Sequence, residues 1–321
     1  MLDLPKEFEP LKDYFVSIPN PILNSKTIQI ILVREIHDYT ILRTEAVREL
    51  NTVVTPYSIN NNEAVLRVAF LGGKQKASES RELSKILRTA ASEYEKEFNF
   101  EKLTGQAECY LKGNLCLNCP RCILYGAVRT GGSDPNIKHR IEYSTAYSLL
   151  PYEDVEAVIT FNAIDDLTMR TEQALGSKYT VMPSIIFPSI VTLRSVTWKE
   201  FLLTIKTLLA TKSYGAETRT AGDVRNVILG ISAGWEEVIT PLELTLELYE
   251  LYKNQNVDTN TINNMLQKYK EYTAFENKVM VVEEKEVQEI ISCASKYDLN
   301  KEFLEEAFND VKEFRKKQGS K

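Results

Sequence analysis

VTLRSVTWKEFLLTIKTLLA, residues 191–210, runs from a β-branched stretch straight into a helical one. Thr197 and Glu200 stand three apart at the junction, the spacing of a capping box. Phe201, Ile205 and Leu208 then fall on one side of the helix that follows. A similar unit lies upstream. AVLRVAFLGG (64–73) reads as a strand ending in Gly72-Gly73, and SESRELSKILRTAASEYEKE (78–97) places Leu83, Ile86, Leu87 and Ala90 at i, i+3, i+4 and i+7. TIQIILVREI (27–36) and TILRTEA (40–46) have the β-branching of a hairpin or of neighbouring strands, and RIEYSTAYSL (140–149) and DVEAVITFNAI (154–164) read as strands returning to the core. YGAETRTAGDVRNVILGI (214–231) is a glycine-bracketed loop followed by a strand. Strand–helix–strand units in this order predict an α+β fold with a ferredoxin-like, RNA-recognition-motif-type sheet. A doubly wound sheet would need a regular alternation that is missing.

Further segments attach to that core. Pro183 and Pro188 bracket Ser184–Phe187, and Gly176 sits in the polar turn ALGSKY, so about 162–190 reads as a protruding hairpin. From Thr240, with Pro241 at a first helical position, the character changes to helices, although LELTLEL (242–248) alternates as a strand would. The division is a core over 1–235, a cysteine-bearing insertion at about 100–127, the hairpin, and a helical region over 236–321.

The 321 residues are 43% hydrophobic and 26% charged, ordinary for a globular protein. The acidic N-terminus shows no secretory signal, and apolar runs such as IQIILV and VILGI are too short to cross a bilayer. The expectation is a cytoplasmic protein with no membrane partner. Net charge is −6, which alone argues against nucleic acid. Its distribution argues otherwise. Between Arg67 and Arg88, six basic residues stand against Glu79 and Glu82; between Lys102 and Arg140, six more stand against Glu108 and Asp134. The acid collects in VEEKEVQE and KEFLEEAFND near the C-terminus.

CYLKGNLCLNCPRC (109–122) holds four of the five cysteines, with the spacing C-x6-C-x2-C-x2-C. Two-residue spacers let thiolates converge on one tetrahedral ion, and the longer gap, with Gly113-Asn114 as a turn, returns the chain to supply a fourth. Lys112 and Arg121 offset the charge of four thiolates. Cys109, Cys116, Cys119 and Cys122 therefore read as a closed, structural zinc site with no position left open for water. An iron–sulfur cluster, His139 in place of Cys109, and a redox role for Cys119-x-x-Cys122 are the competing readings. Cys293, among Ile290, Ile291 and Ala294, reads as core.

No hydrolase, zinc-protease or phosphate-loop motif is present. LGGKQK and RTGGS pair glycines after apolar runs, as turns do and as phosphate-approaching loops do. Asp134 and Asp165-Asp166 could hold a divalent ion, although such acids more often sit in solvated loops. Arg81, Lys85 and Arg88 lie opposite the apolar stripe of their helix and could track a sugar–phosphate backbone. Lys74, Lys76, Arg129, Lys138, His139, Arg140, Arg219 and Arg225 add to that reading, and Tyr125, Tyr143 and Tyr179 are aromatics able to stack on bases.

CLNCPRCILYGAVRTGG (116–132), IKHRIEYSTAYSL (137–149) and YGAETRTAGDVR (214–225) together resemble the backbone subunit of type I-D CRISPR interference complexes, in the Cas-seven branch of the repeat-associated RNA-binding superfamily. The resemblance extends over most of residues 20–235. It implies an RNA-recognition-motif-like core with a zinc-binding insertion, copies assembling side by side along a CRISPR RNA, and other complex subunits and target nucleic acid as partners. It implies a thumb within 162–190 that kinks the guide, with Arg170, Lys178, Tyr179 and Met182 near its tip. Arg219 falls in the family's glycine-rich loop, which Glu217 and Asp223 make less basic here. Two other functions stand beside this one. A related endonuclease would cut target strands with Asp134, Asp165 or Asp166 and a divalent metal, and a zinc-stapled scaffold would bind protein alone.

Overall fold

β1 (Thr27–Ile36) is the centre of the molecule. All its residues but Glu35 are buried, and the reason is two-sided. Ile28, Ile30 and Leu32 face one hydrophobic cluster, while Ile31 and Val33 face another. An uninterrupted apolar run is what a strand covered on both faces requires. In this computed structural model, residues 2–44, 48–94, 99–106, 109–110, 115–129, 135–161, 167, 176–215, 221–252 and 257–319 are described.

β1 pairs antiparallel with β8 (Ile186–Arg194) and β9 (Val224–Gly234); β4 (Ile141–Tyr143) extends the sheet beside β8 and β10 (Met280–Val281) beside β9. The order is β10-β9-β1-β8-β4. With α1 (Gly72–Glu93) after β1 and α4 (Trp198–Ala210) after β8, the central elements read β-α-β-β-α-β, with the last strand beside the first. That is the ferredoxin-like arrangement expected from the sequence.

α1 and α4 cover one face through Leu83, Leu87, Phe201, Ile205 and Leu208. α2 (Phe100–Thr104), α3 (Pro120–Tyr125), α7 (Glu284–Lys296) and α8 (Lys301–Lys317) continue that side. The capping box at α4 forms as read: the Glu200 N–H donates to Thr197 Oγ1 at 3.2 Å and the Thr197 N–H to Glu200 Oε2 at 3.0 Å. α5 (Pro241–Tyr252) and α6 (Thr259–Lys270) seal the opposite face, where Leu244, Leu248, Ile262 and Leu266 meet Ile31, Val33, Ile190 and Leu229. α6 comes so close that a Cβ on Gly230 would lie 2.6 Å from Ile262 Cγ2. The 236–321 segment thus packs on both faces of the core sheet and adds β10 to its edge.

Several local readings change. Strand character in 64–70 is real, but β3 (Ala64–Phe70) pairs with β2 (Thr52–Pro56) and β5 (Ala146–Tyr147) in a separate three-stranded sheet. Residues 40–44 form no strand; Thr40 makes only an isolated bridge to Val181. The hairpin consists of β6 (Glu156–Phe161) and β7 (Gly176–Val181), so it begins upstream of 162 and ends before 190. β6 pairs with β7 alone and does not return to the core sheet. The 186–190 stretch belongs to the core strand β8. Pro188 is tolerated there because the β4 ladder ends at Val191, leaving the outer edge of β8 without that partner.

Candidate metal centre and nucleic-acid interface

The four cysteines converge. All four Sγ atoms lie within 4.8 Å of one another and all four residues are buried. Cys109–Cys122, Cys109–Cys119 and Cys116–Cys122 are separated by 3.5, 3.8 and 3.9 Å. Thiolates bound at about 2.3 Å to one tetrahedral ion lie about 3.8 Å apart, so the set fits a single ion. A multi-iron cluster spreads its thiolates over several metal corners and fits less well. His139 is outside the group, which makes Cys109 the fourth candidate ligand.

Local structure explains the convergence. Leu117, at φ +62°, turns the chain between Cys116 and Cys119. Cys119 is the N-cap of α3, Pro120 takes its first position, and the Cys122 N–H donates to the Cys119 carbonyl at 2.9 Å. The backbone N–H groups of Cys116 and Asn118 point at Cys109 Sγ and Cys116 Sγ, each at 3.4 Å, the outer-shell donors that hold thiolates in place. Hydrogen bonds from Cys116, Cys119 and Cys122 pull the Cys109 thiol well below the usual range. Lys112 and the Gly113-Asn114 turn lie outside the described residues.

One wall of a cavity of about 360 Å³ belongs to this centre, through Cys109, Tyr110, Leu115 and Arg121. The other wall is the outer face of α1, with Arg81, Lys85 and Arg88 exposed along it. Among the described residues no carboxylate lines the cavity. Lys85 pairs with Glu82 at 2.9 Å, whereas Arg81 and Arg88 have no carboxylate partner among the described residues. Lys76, half-buried on the same helix, extends the positive ground: burial lowers its pKa and Arg121 lowers it further. Burial, then Lys76 and Lys138, also depress His139, which leaves that ring neutral near pH 7.

Other candidates separate from this group. Arg140 is 1% exposed; it pairs with both Glu200 oxygens and donates to the carbonyls of Ser195 (2.9 Å) and Ile123 (3.2 Å). A guanidinium so occupied is a core strut and is not offered to a ligand. Arg67, counted in the basic stretch, is buried beneath Tyr249 and donates to Thr55 and to backbone carbonyls. Tyr125 and Tyr143 stack on each other at 6.3 Å, and the Tyr143 hydroxyl donates to Glu79, so neither is free to stack on bases. Glu79 is itself buried, 2.7 Å from Arg34.

Lys74 is half-buried at the start of α1, and Arg129 and Lys138 are exposed on the loop beyond the cysteines. Lys178 and Tyr179 lie in the β7 stem; Met182, just past it, packs with Tyr179 against the cluster around Ile36 and Phe187, away from any hairpin tip. Asp134, Asp165, Asp166, Arg170 and Arg219 lie outside the described residues. The sequence reading does not single out Tyr110, and it takes Arg121 as one charge of a basic stretch and as a counter-charge to the thiolates. The signal available was position: one adjoins the first cysteine, and the other lies between two cysteines in the first turn of α3.

A ferredoxin-like sheet with both faces covered, a four-cysteine centre and a cationic cleft beside it define an RNA-recognition-motif-like protein with an insertion able to hold a metal ion. The sequence model of the Csc2 CRISPR family matches residues 12–313, and the chain belongs to that family. Its fold is that of Thermofilum pendens Csc2, with a TM-score of 0.69 at 19% identity, covering 98% of this chain and 97% of the other. A chain of a CRISPR RNA-guided surveillance complex aligns more distantly, with a TM-score of 0.49 and 10% identity over 84% of this chain and 99% of its own. No curated protein matches the sequence.

Proposed function

We propose that this chain is the CRISPR RNA-binding backbone subunit of a type I-D interference complex, copies of which line up along the guide. The observation that carries the reading is the cleft between α1 and the cysteine centre, where, among the described residues, four cations line the walls and no anion does. Binding would be largely independent of sequence, because contacts to phosphates position a strand without reading its bases. The covered sheet supports the same choice, since α5 and α6 occupy the face on which an open RNA-recognition motif stacks bases. Family membership supports the same role.

Cys109, Cys116, Cys119 and Cys122 would hold zinc, which supplies a cross-link between the knuckle and α3 and takes no part in chemistry. The β6–β7 hairpin is the candidate thumb. Neighbouring copies, other complex subunits and target nucleic acid are the partners this role requires, in the cytoplasm; no helix among the described residues is long and apolar enough to cross a membrane.

The test is ribonuclease trimming of RNA that copurifies with the chain. Protected fragments should form a ladder with a constant step, one step for each added copy. A smear, or protein free of RNA, would overturn the reading.

A further inference from the structure

On the sheet side opposite α1, the stretches leading from β9 into α5 and from α6 into β10 carry three exposed rings. Tyr272 is 75% exposed, Phe275 51% and Trp235 44%. Protein interfaces concentrate these residue types. Trp235 and Phe275 meet with ring centres 5.8 Å apart, and Lys278 Nζ lies 5.4 Å from the centre of the Trp235 ring. The Phe275 N–H donates to Glu236 Oε1 at 2.6 Å, and a Cβ on Gly234 would lie 2.6 Å from Val279 Cγ2. The two stretches are therefore held together before any partner arrives. Beside the rings, a cavity of about 490 Å³ opens between the start of α5 and the end of α6. Buried Val238 and Ile239 line it, with the carboxylates of Glu236, Glu237, Glu243 and Glu247 set against the single ammonium of Lys268. Two of the four acids are matched: Glu237 pairs with Arg194, and Glu247 with Lys268 at 2.7 Å. The Glu243 carboxylate accepts from the Thr240 N–H at 2.9 Å and hydroxyl at 2.7 Å, and Glu236 accepts from the Phe275 N–H. Neither has a cationic partner among the described residues.

We infer that this surface docks a partner protein that inserts an arginine. The guanidinium enters the cavity toward Glu236 and Glu243, and apolar side chains beside it cover Tyr272 and Phe275. Charge complementarity carries the choice of occupant. An arginine meets carboxylates through parallel hydrogen bonds and lies flat on aromatic rings, so it uses both halves of the surface. A metal ion or a small free cation would leave the rings uncovered. Two copies of this chain joined symmetrically here would set carboxylates against carboxylates. The surface lies across the sheet from the cationic cleft, so the inference goes beyond the RNA-binding role and does not depend on it.

The test is calorimetric titration of the full chain with two short capped peptides. One holds an arginine between two leucines, and the other holds citrulline, its uncharged isostere, at the same place. Wild type should bind the arginine peptide about tenfold more tightly, the worth of one charge-assisted hydrogen bond. Glu236→Gln/Glu243→Gln keeps the hydrogen bonds that those side chains accept, and it should bind the two peptides within about twofold of each other. Tyr272→Ala should weaken both peptides by the same factor, because it removes apolar contact and no charge. Equal binding of the two peptides by wild type, a preference that survives in the glutamine variant, or no binding of either peptide would overturn the inference. So would self-association of wild type that Tyr272→Ala abolishes, since a second copy would then be the occupant. Each of these outcomes leaves the RNA-binding role as it stands.

Discussion

Lys138, His139 and Arg140 are three adjacent basic residues with three different fates. Lys138 is exposed, His139 is half-buried and depressed in pKa, and Arg140 is buried against Glu200 immediately before β4. The sequence gives the charges but not the direction of each side chain, which is set by where a three-residue strand begins. Arg67 and Glu79 carry the same lesson, since both were weighed as surface charge and both are buried. Arg140→Ala would leave the Glu200 carboxylate buried with its main counter-ion gone. Such losses cost about 3–5 kcal/mol, which urea unfolding should register. A change under about 1 kcal/mol would mean that the pair is no strut.

At the scale of elements, local signals were legible wherever chemistry is local. The Thr197–Glu200 cap, the apolar stripe of α1, Pro241 at the head of α5 and the cysteine spacing all reappear in space. The alternation in LELTLEL was outvoted by helical packing of Leu244 and Leu248 against the sheet. What periodicity could not supply was which sheet a strand joins: β3 and β8 have similar composition, yet only β8 pairs with β1. Gly72-Gly73, read as a turn after a strand, opens α1, and a Cβ on Gly72 would lie 2.3 Å from the Tyr143 carbonyl oxygen. Close packing of the helix start on the chain by itself requires glycine at this position. The cysteine element yields its own prediction. Cys119→Ser should lower the metal content from one ion per chain to a fraction and reduce the melting temperature by several degrees, because a structural site contributes folding energy through all four ligands. Full metal retention by elemental analysis would mean that the ligand set is wrong.

At the scale of the whole molecule, an acidic chain has to be reconciled with the polyanionic partner proposed for it. Net charge is −6, but the field that a strand feels falls off within about 8 Å at physiological salt. Arg81, Lys85, Arg88 and Arg121 share one cleft, while the acid of α7 and α8 lies along other helices. The sheet's two faces are buried under helices, and the proposed binding surface is the outside of α1 with the cysteine-bearing insertion. This division was only half legible in the sequence. Charge clustering along the chain points to α1, but nothing in the sequence shows that Cys109, Tyr110, Leu115 and Arg121 face it across a cleft. The most direct measurement is the dependence of single-stranded RNA affinity on salt, for wild type and for Arg81→Glu/Lys85→Glu/Arg88→Glu. Each phosphate neutralised on a single strand adds about 0.7 to the slope of log K against log salt, so the variant should bind more weakly with a slope shallower by about 2. An unchanged slope and affinity would place the RNA elsewhere on the molecule and contradict the cleft as its seat.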